Sequence, residues 1–254
     1  MVITSLEQWL WYLNIAGNIA MLLVLLARKL VGLYRLLFLY FLADLLQSLL
    51  LIALPQTSFQ VYAATQSLKW ILSFWFVLEL YGRVLAPQPA LAKFARGTVS
   101  VLLAVSSAIS LTNIYVGHPS SLEWDWIATA FYRFDRTVDS TVAIFLLLIS
   151  AFLLWFPVKA SRNAASYMTG FTVYFFARWA NLLATDLWPQ YTRGLSAANL
   201  GMAFACMAFW VLVMRPEGEA VVTVIGHRWN PAEGERLILQ LDAANTRLAR
   251  LMRS

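Results

Sequence analysis

Among the ionisable residues inside long apolar stretches of this chain, Asp44, Lys69, Glu79 and Arg178 stand out. Amides accompany them, with Asn14 and Asn18 four apart, Gln47 three after Asp44, and Asn181 three after Arg178. A charge surrounded by hydrocarbon is costly, so such residues face the interior of a helix bundle and find partners there. Asp44, Asn18, Gln47 and Asn14 can gather into one polar cluster at mid-depth. That cluster suits a proton, a small cation or a polar solute path, and it serves equally as hydrogen-bonded glue between helices. Asp44 with Arg178, or Asp44 with Lys69, forms a candidate buried ion pair, because either partner alone would carry a large desolvation cost. Arg178, Asn181 and Thr185 follow one helix face and would line a cavity opening outward. Glu79 is expected to snorkel or to meet a loop arginine, and Asp186 to lie at the interface.

Other chemistries lack their residues. The two histidines, His118 and His227, fall outside the apolar stretches, which removes histidine ligation of haem at membrane depth. The last stretch has no lysine for a retinal Schiff base. No serine has a histidine companion within a span, no HExxH is present, and glycine-rich phosphate loops are absent. The single cysteine, Cys206, excludes an intrachain disulfide and a thiolate zinc site. No cofactor, no metal and no catalytic residue is therefore expected.

The elements that position these residues follow from composition. Of 254 residues 61% are apolar and 13% charged, against about 25% charged in an ordinary soluble protein. Trp9–Ala27 runs nineteen residues without a charge and as a helix reaches about 28 Å, close to the hydrocarbon thickness of a bilayer. Six more spans follow, at about 33–54, 61–85, 97–116, 138–156, 164–187 and 195–214. Small residues repeat every fourth position in two of them, Ser100, Ala104 and Ala108 in the fourth and Ala197, Gly201 and Ala205 in the seventh, and predict close helix packing. Residues 117–139 form the longest connection. Ser120 and Glu123 there have capping-box spacing, and Trp124, Trp126, Phe131, Tyr132 and Phe134 suggest a short amphipathic helix in the interface.

Lysine and arginine set the orientation. The turns after spans 1, 3 and 5 hold Arg28, Lys29, Arg35, Arg83, Lys93, Arg96, Lys159 and Arg162 without an acidic residue, whereas the turns between hold a mixture. The bias places the odd turns and the tail in the cytoplasm and the N-terminus outside. The net charge of +6 is thus a matter of topology, and nucleic acid is not an expected partner. The expected fold is all-α: a polytopic seven-helix transmembrane bundle over 1–214, in the plasma (inner) membrane, and a cytoplasmic tail over 215–254. Val221–Ile225 in that tail is a brief β-branched run of open assignment. Asn230, Pro231 and Glu233 then mark the start of an amphipathic helix over about 231–253. Its stripe of Leu237, Leu241, Ala244, Leu248 and Leu251 has heptad-like spacing. The stripe either packs on the chain's own membrane domain or docks a partner, a second copy or a cytoplasmic protein; membrane lipid is the other expected partner.

Seven spans with the N-terminus outside and Pro-Gln at 55–56 and 189–190 resemble the small sugar and amino-acid transporters built from two three-helix repeats. In this chain the dipeptides sit at span ends, and spans 1–3 and 5–7 show no mutual likeness. Function is therefore read from the residues alone. The leading expectation is a membrane sensor, signalling or interaction protein without evident catalytic activity. The alternative is a small-solute or cation transporter working through the polar cluster around Asp44 and Arg178.

Overall fold

The computed structural model describes residues 5–85, 88–116, 124–156, 158–220, 222–225 and 231–251. Among these the chain is helical apart from one two-stranded ribbon. Seven long helices come first: α1 (Ser5–Ala27), α2 (Arg35–Ala53), α3 (Ser58–Val84), α4 (Pro89–Val116), α5 (Trp124–Trp155), α6 (Arg162–Leu187) and α7 (Thr192–Val213). A single turn, α8 (Glu217–Ala220), and a final helix, α9 (Pro231–Leu251), complete the set. Strands β1 (Val158–Ser161) and β2 (Val222–Ile225) pair antiparallel, with Val158 opposite Ile225 and Ser161 opposite Val222. The open assignment of the 221–225 run thus resolves as a strand for 222–225.

Local chemistry sets the boundaries. Leu54, which precedes Pro55, leaves helical geometry at φ −126° and ψ 61° and ends α2. Trp188, before Pro189, does the same at φ −133° and ψ 68° and ends α6. Ser161 opens α6, its Oγ accepting a hydrogen bond from the Ala164 N–H at 3.1 Å. No glycine or proline lies between Trp124 and Trp155. The expected interfacial helix and the fifth span are accordingly one helix of 32 residues, about 48 Å long at 1.5 Å per residue. The capping pair Ser120 and Glu123 and the cap Asn230 lie outside the described residues.

Among the described residues, four helices are long and apolar enough to cross a membrane: α1, α2, residues 130–155 of α5, and α7. The apolar runs of α3 and α6 are long enough but are interrupted by Gln66 and Lys69 and by Arg178 and Asn181. Large apolar side chains cover the outside. Leu23, Ile71, Trp75, Leu148 and Leu212 are each more than half exposed, a surface suited to hydrocarbon and ill suited to water.

α1 packs against α2 and α7, α7 against α6, α6 against α5, and α5 against α3, which returns to α2. α4 lies outside this ring, touching α3, α5 and α9. An aromatic core fills the centre, where Phe171 of α6 stands 4.5 Å from the Trp210 ring of α7 and 4.1 Å from the Phe76 ring of α3.

The small-residue stripes do not make the tight contacts expected of them. Ser100, Ala104 and Ala108 are exposed, because α4 stands outside the ring and buries Val99 and Leu103 instead. Space is open around Gly201. Side chains of α7 closely approach two other glycines. A Cβ on Gly170 would lie 2.3 Å from Nε1 of Trp210, and one on Gly17 would lie 3.3 Å from the end of Met207.

Candidate functional site: paired charges in the core

Two linked polar centres occupy the ring. In the first, Lys69 of α3 places Nζ 2.7 Å from Asp44 Oδ1 and 2.8 Å from Gln47 Oε1, both of α2. Asn18 of α1, fully buried, donates from Nδ2 to Asp44 Oδ2 at 2.9 Å. Three helices thus meet at one carboxylate. The Lys69 ammonium also lies 5.9 Å from the centre of the Tyr40 ring, within cation–π range.

The second centre is built on α5. Asp135 Oδ1 accepts from Gln66 Nε2 at 2.7 Å and from Trp70 Nε1 at 2.6 Å. Its Oδ2 accepts from Tyr62 Oη at 3.2 Å and from Arg178 Nη2 at 3.1 Å. Asp139, one turn along α5, takes Arg178 Nε on its Oδ2. Tyr62, Gln66, Lys69 and Trp70 share α3, whose spacing of three and four puts them on one face. That face joins the two centres.

The expected residues divide accordingly. Asn18, Asp44, Gln47 and Lys69 come together, and the lysine is the partner of Asp44. Arg178 turns instead to Asp135 and Asp139, two residues that the sequence reading places in the connection. Asn14 bonds α1 to α7 through the Leu200 carbonyl at 3.0 Å and shares a small cavity with Asp44, Tyr40, Tyr174 and Trp210. This cavity has room for about one water molecule. Asn181 does not join the cluster; its Nδ2 donates to the Leu195 carbonyl of α7. Glu79 accepts from Arg83 Nε at 2.9 Å, an i,i+4 pair on α3. The side chain of Asp186 is not among those described. In the tail stripe, Leu241 is buried, Leu237 and Leu248 are half-buried, and Ala244 and Leu251 are exposed.

A third polar group, which sequence reading missed, fastens the start of the tail. Asn163 of α6 is fully buried. Its Nδ2 donates to the Arg215 carbonyl at 2.7 Å and to Glu219 Oε1 at 2.9 Å, and its Oδ1 accepts from the Arg215 N–H at 3.3 Å. Tyr34 Oη donates to the same Glu219 oxygen. Gly218 makes the approach possible, since a Cβ there would stand 2.1 Å from Asn163 Oδ1.

No protein-family model, no curated protein and no solved structure matches this chain.

Proposed function

We propose that this chain is a multi-pass protein of the plasma (inner) membrane that senses or relays a signal, or holds a partner, without catalysing a reaction. In this reading α1–α7 all cross the bilayer, the N-terminus is outside, and the tail from Arg215 is cytoplasmic. Support for the topology comes from the lysine and arginine bias of alternate turns. The ion pairing of Lys69 and Arg178 lets α3 and α6 enter hydrocarbon alongside the four more apolar helices.

One observation carries the functional reading. Both buried cations, Lys69 and Arg178, are taken up by carboxylates to which buried amides, indole and phenol also bond, and the cavity that reaches Asp44 admits about one water. Such a core couples α2, α3, α5 and α6 mechanically. An output surface then stands on the cytoplasmic side: α9 packs on α4, where Asn245 bonds its backbone, and buries Leu241, while Ile238, Leu239 and Leu251 stay exposed. A cytoplasmic protein or a second copy would dock there.

Transport of a proton or cation is the second reading, favoured by the contact of Asp44 with that cavity. Reconstitution in liposomes with an internal pH dye and an imposed potassium diffusion potential separates the two. The sensor reading expects no proton flux above protein-free liposomes. A flux abolished by Asp44→Asn would establish transport instead. Topology is checked in a Cys206→Ala background: Ser5→Cys should react with an impermeant thiol reagent only from outside, and Asp242→Cys only from inside.

A further inference from the structure

Among the described residues, one set of ion pairs within the ring joins three carboxylates, Asp44, Asp135 and Asp139, to two cations, Lys69 and Arg178. With every group ionised the set would carry one uncompensated negative charge. Asp135 and Asp139 are 5% and 3% exposed and Lys69 5%, so solvent cannot supply the missing compensation. An unpaired buried carboxylate costs several kcal/mol, and such a group takes up a proton instead.

Hydrogen-bond supply decides which carboxylate does so. Asp135 receives four donors, two on each oxygen, the arrangement that stabilises an ionised carboxylate. Asp44 receives an ammonium and an amide. Asp139 receives the Arg178 Nε on one oxygen and shares that guanidinium with Asp135 one turn away, where like charges repel. Gln66, 2% exposed and bonded to Asp135, keeps a buried Oε1 with no partner. The centre therefore holds an acceptor in want of a donor as well as a charge in want of a counter-charge. The charged and titratable groups facing Asp139 are Arg178 from α6, Asp135 on its own helix, and Lys69 and Tyr62 from α3; Arg178 in turn faces Tyr174 and Asp44. Arg136, also on α5, has an interaction of its own.

We propose that the α3–α5–α6 junction is a binding site for one exchangeable proton, carried by Asp139 beside the ionised Asp135–Arg178 pair. This goes beyond the sensor reading and does not depend on it, since it stands on burial and pairing within the chain. Loss of the proton would set two carboxylates one turn apart against a single guanidinium and loosen α5 from α6. The site is thus a place where a proton can change helix packing.

Infrared spectroscopy of the full chain in lipid nanodiscs reads this directly. At neutral pH the wild type should show one protonated-carboxyl C=O band per chain. The band should shift in D₂O, vanish in Asp139→Asn and persist in Asp44→Asn. Asp139→Glu, which keeps the carboxyl, should move the band and not remove it, covering the case in which the amide variant misfolds. A wild type without such a band, or a band that survives in folded Asp139→Asn, would overturn the proposal. So would a band present in choline buffer that disappears when sodium is added, which would make a cation the occupant.

Discussion

Lys69 and Asp44 meet at 2.7 Å across α3 and α2, with the lysine side chain 6% exposed and the aspartate 29%. Removing either partner strands the other in a low-dielectric setting, which costs about 3–5 kcal/mol for a buried pair. The partial exposure of Asp44 puts Lys69→Met near the lower end of that range. Asp44→Asn should cost more, because a more deeply buried ammonium then keeps only neutral acceptors such as Gln47 Oε1. The double variant should cost clearly less than the sum. A double-mutant cycle on thermal unfolding in detergent measures the coupling; additive effects would mean that the two do not interact.

Asp135 and Asp139 should respond very differently to the same change. Asp135→Asn turns one acceptor oxygen into a donor facing donors already in place, so Tyr62 and Arg178 or Gln66 and Trp70 lose their acceptor. A loss of about 3–5 kcal/mol is expected, as for any broken buried pair. Asp139→Asn keeps an oxygen for Arg178 and removes the surplus carboxylate. Its stability should stay within about 1 kcal/mol of wild type, the scale of one ordinary hydrogen bond. Thermal unfolding of the two variants in the same detergent gives the ranking.

The glycines offer a matched pair. Gly170→Ala drives a methyl into the Trp210 indole and should destabilise by about 1–3 kcal/mol, as overpacking does. Gly201→Ala meets open space and should stabilise by up to about 1 kcal/mol through helix propensity. Midpoints of heat-induced loss of helical circular dichroism, compared for the two variants, check both signs.

Asn245 acts as a cap from another helix. Its Oδ1 accepts from the N–H groups of Ala90 and Leu91 at 2.9 and 3.1 Å, satisfying orphan donors at the start of α4. Asn245→Ala should cost about 0.5–2 kcal/mol, as loss of a cap does. Hydrogen exchange should speed up at residues 90 and 91 and along α9. Unchanged exchange at α9 would show that the leucine stripe alone secures it.

Much of the helical framework was legible in the chain, because nothing but long apolar runs and prolines is needed to mark it. Asp44, Asn18 and Gln47 were legible for the same reason: a polar residue in such a run has few places to go. The partner of Arg178 was not. Asp135 and Asp139 lie in a segment whose charges and aromatics suggest an interface, and only the lack of a glycine or proline from Trp124 to Trp155 hints that the helix continues through them. The spacing of four between those two aspartates was the available signal. The small-residue stripes misled for a different reason. Periodicity says which residues share a face, but not whether another helix stands opposite it, and α4 turns that face outward. Asn163 and Glu219 carried no pattern at all, since their contact joins residues 56 apart.

The β1–β2 ribbon has a practical consequence. Four residues of the tail pair with the strand that follows α5, and α6 starts directly from that strand after Ser161. A truncation at Arg215 would therefore leave β1 with a bare edge and Asn163 with unmet donors, disturbing the entry to α6 as well as deleting an appendage. Fusion reporters and affinity tags belong after Leu251, and a shortened version that loses function says nothing about partners until its sixth helix has been shown to survive.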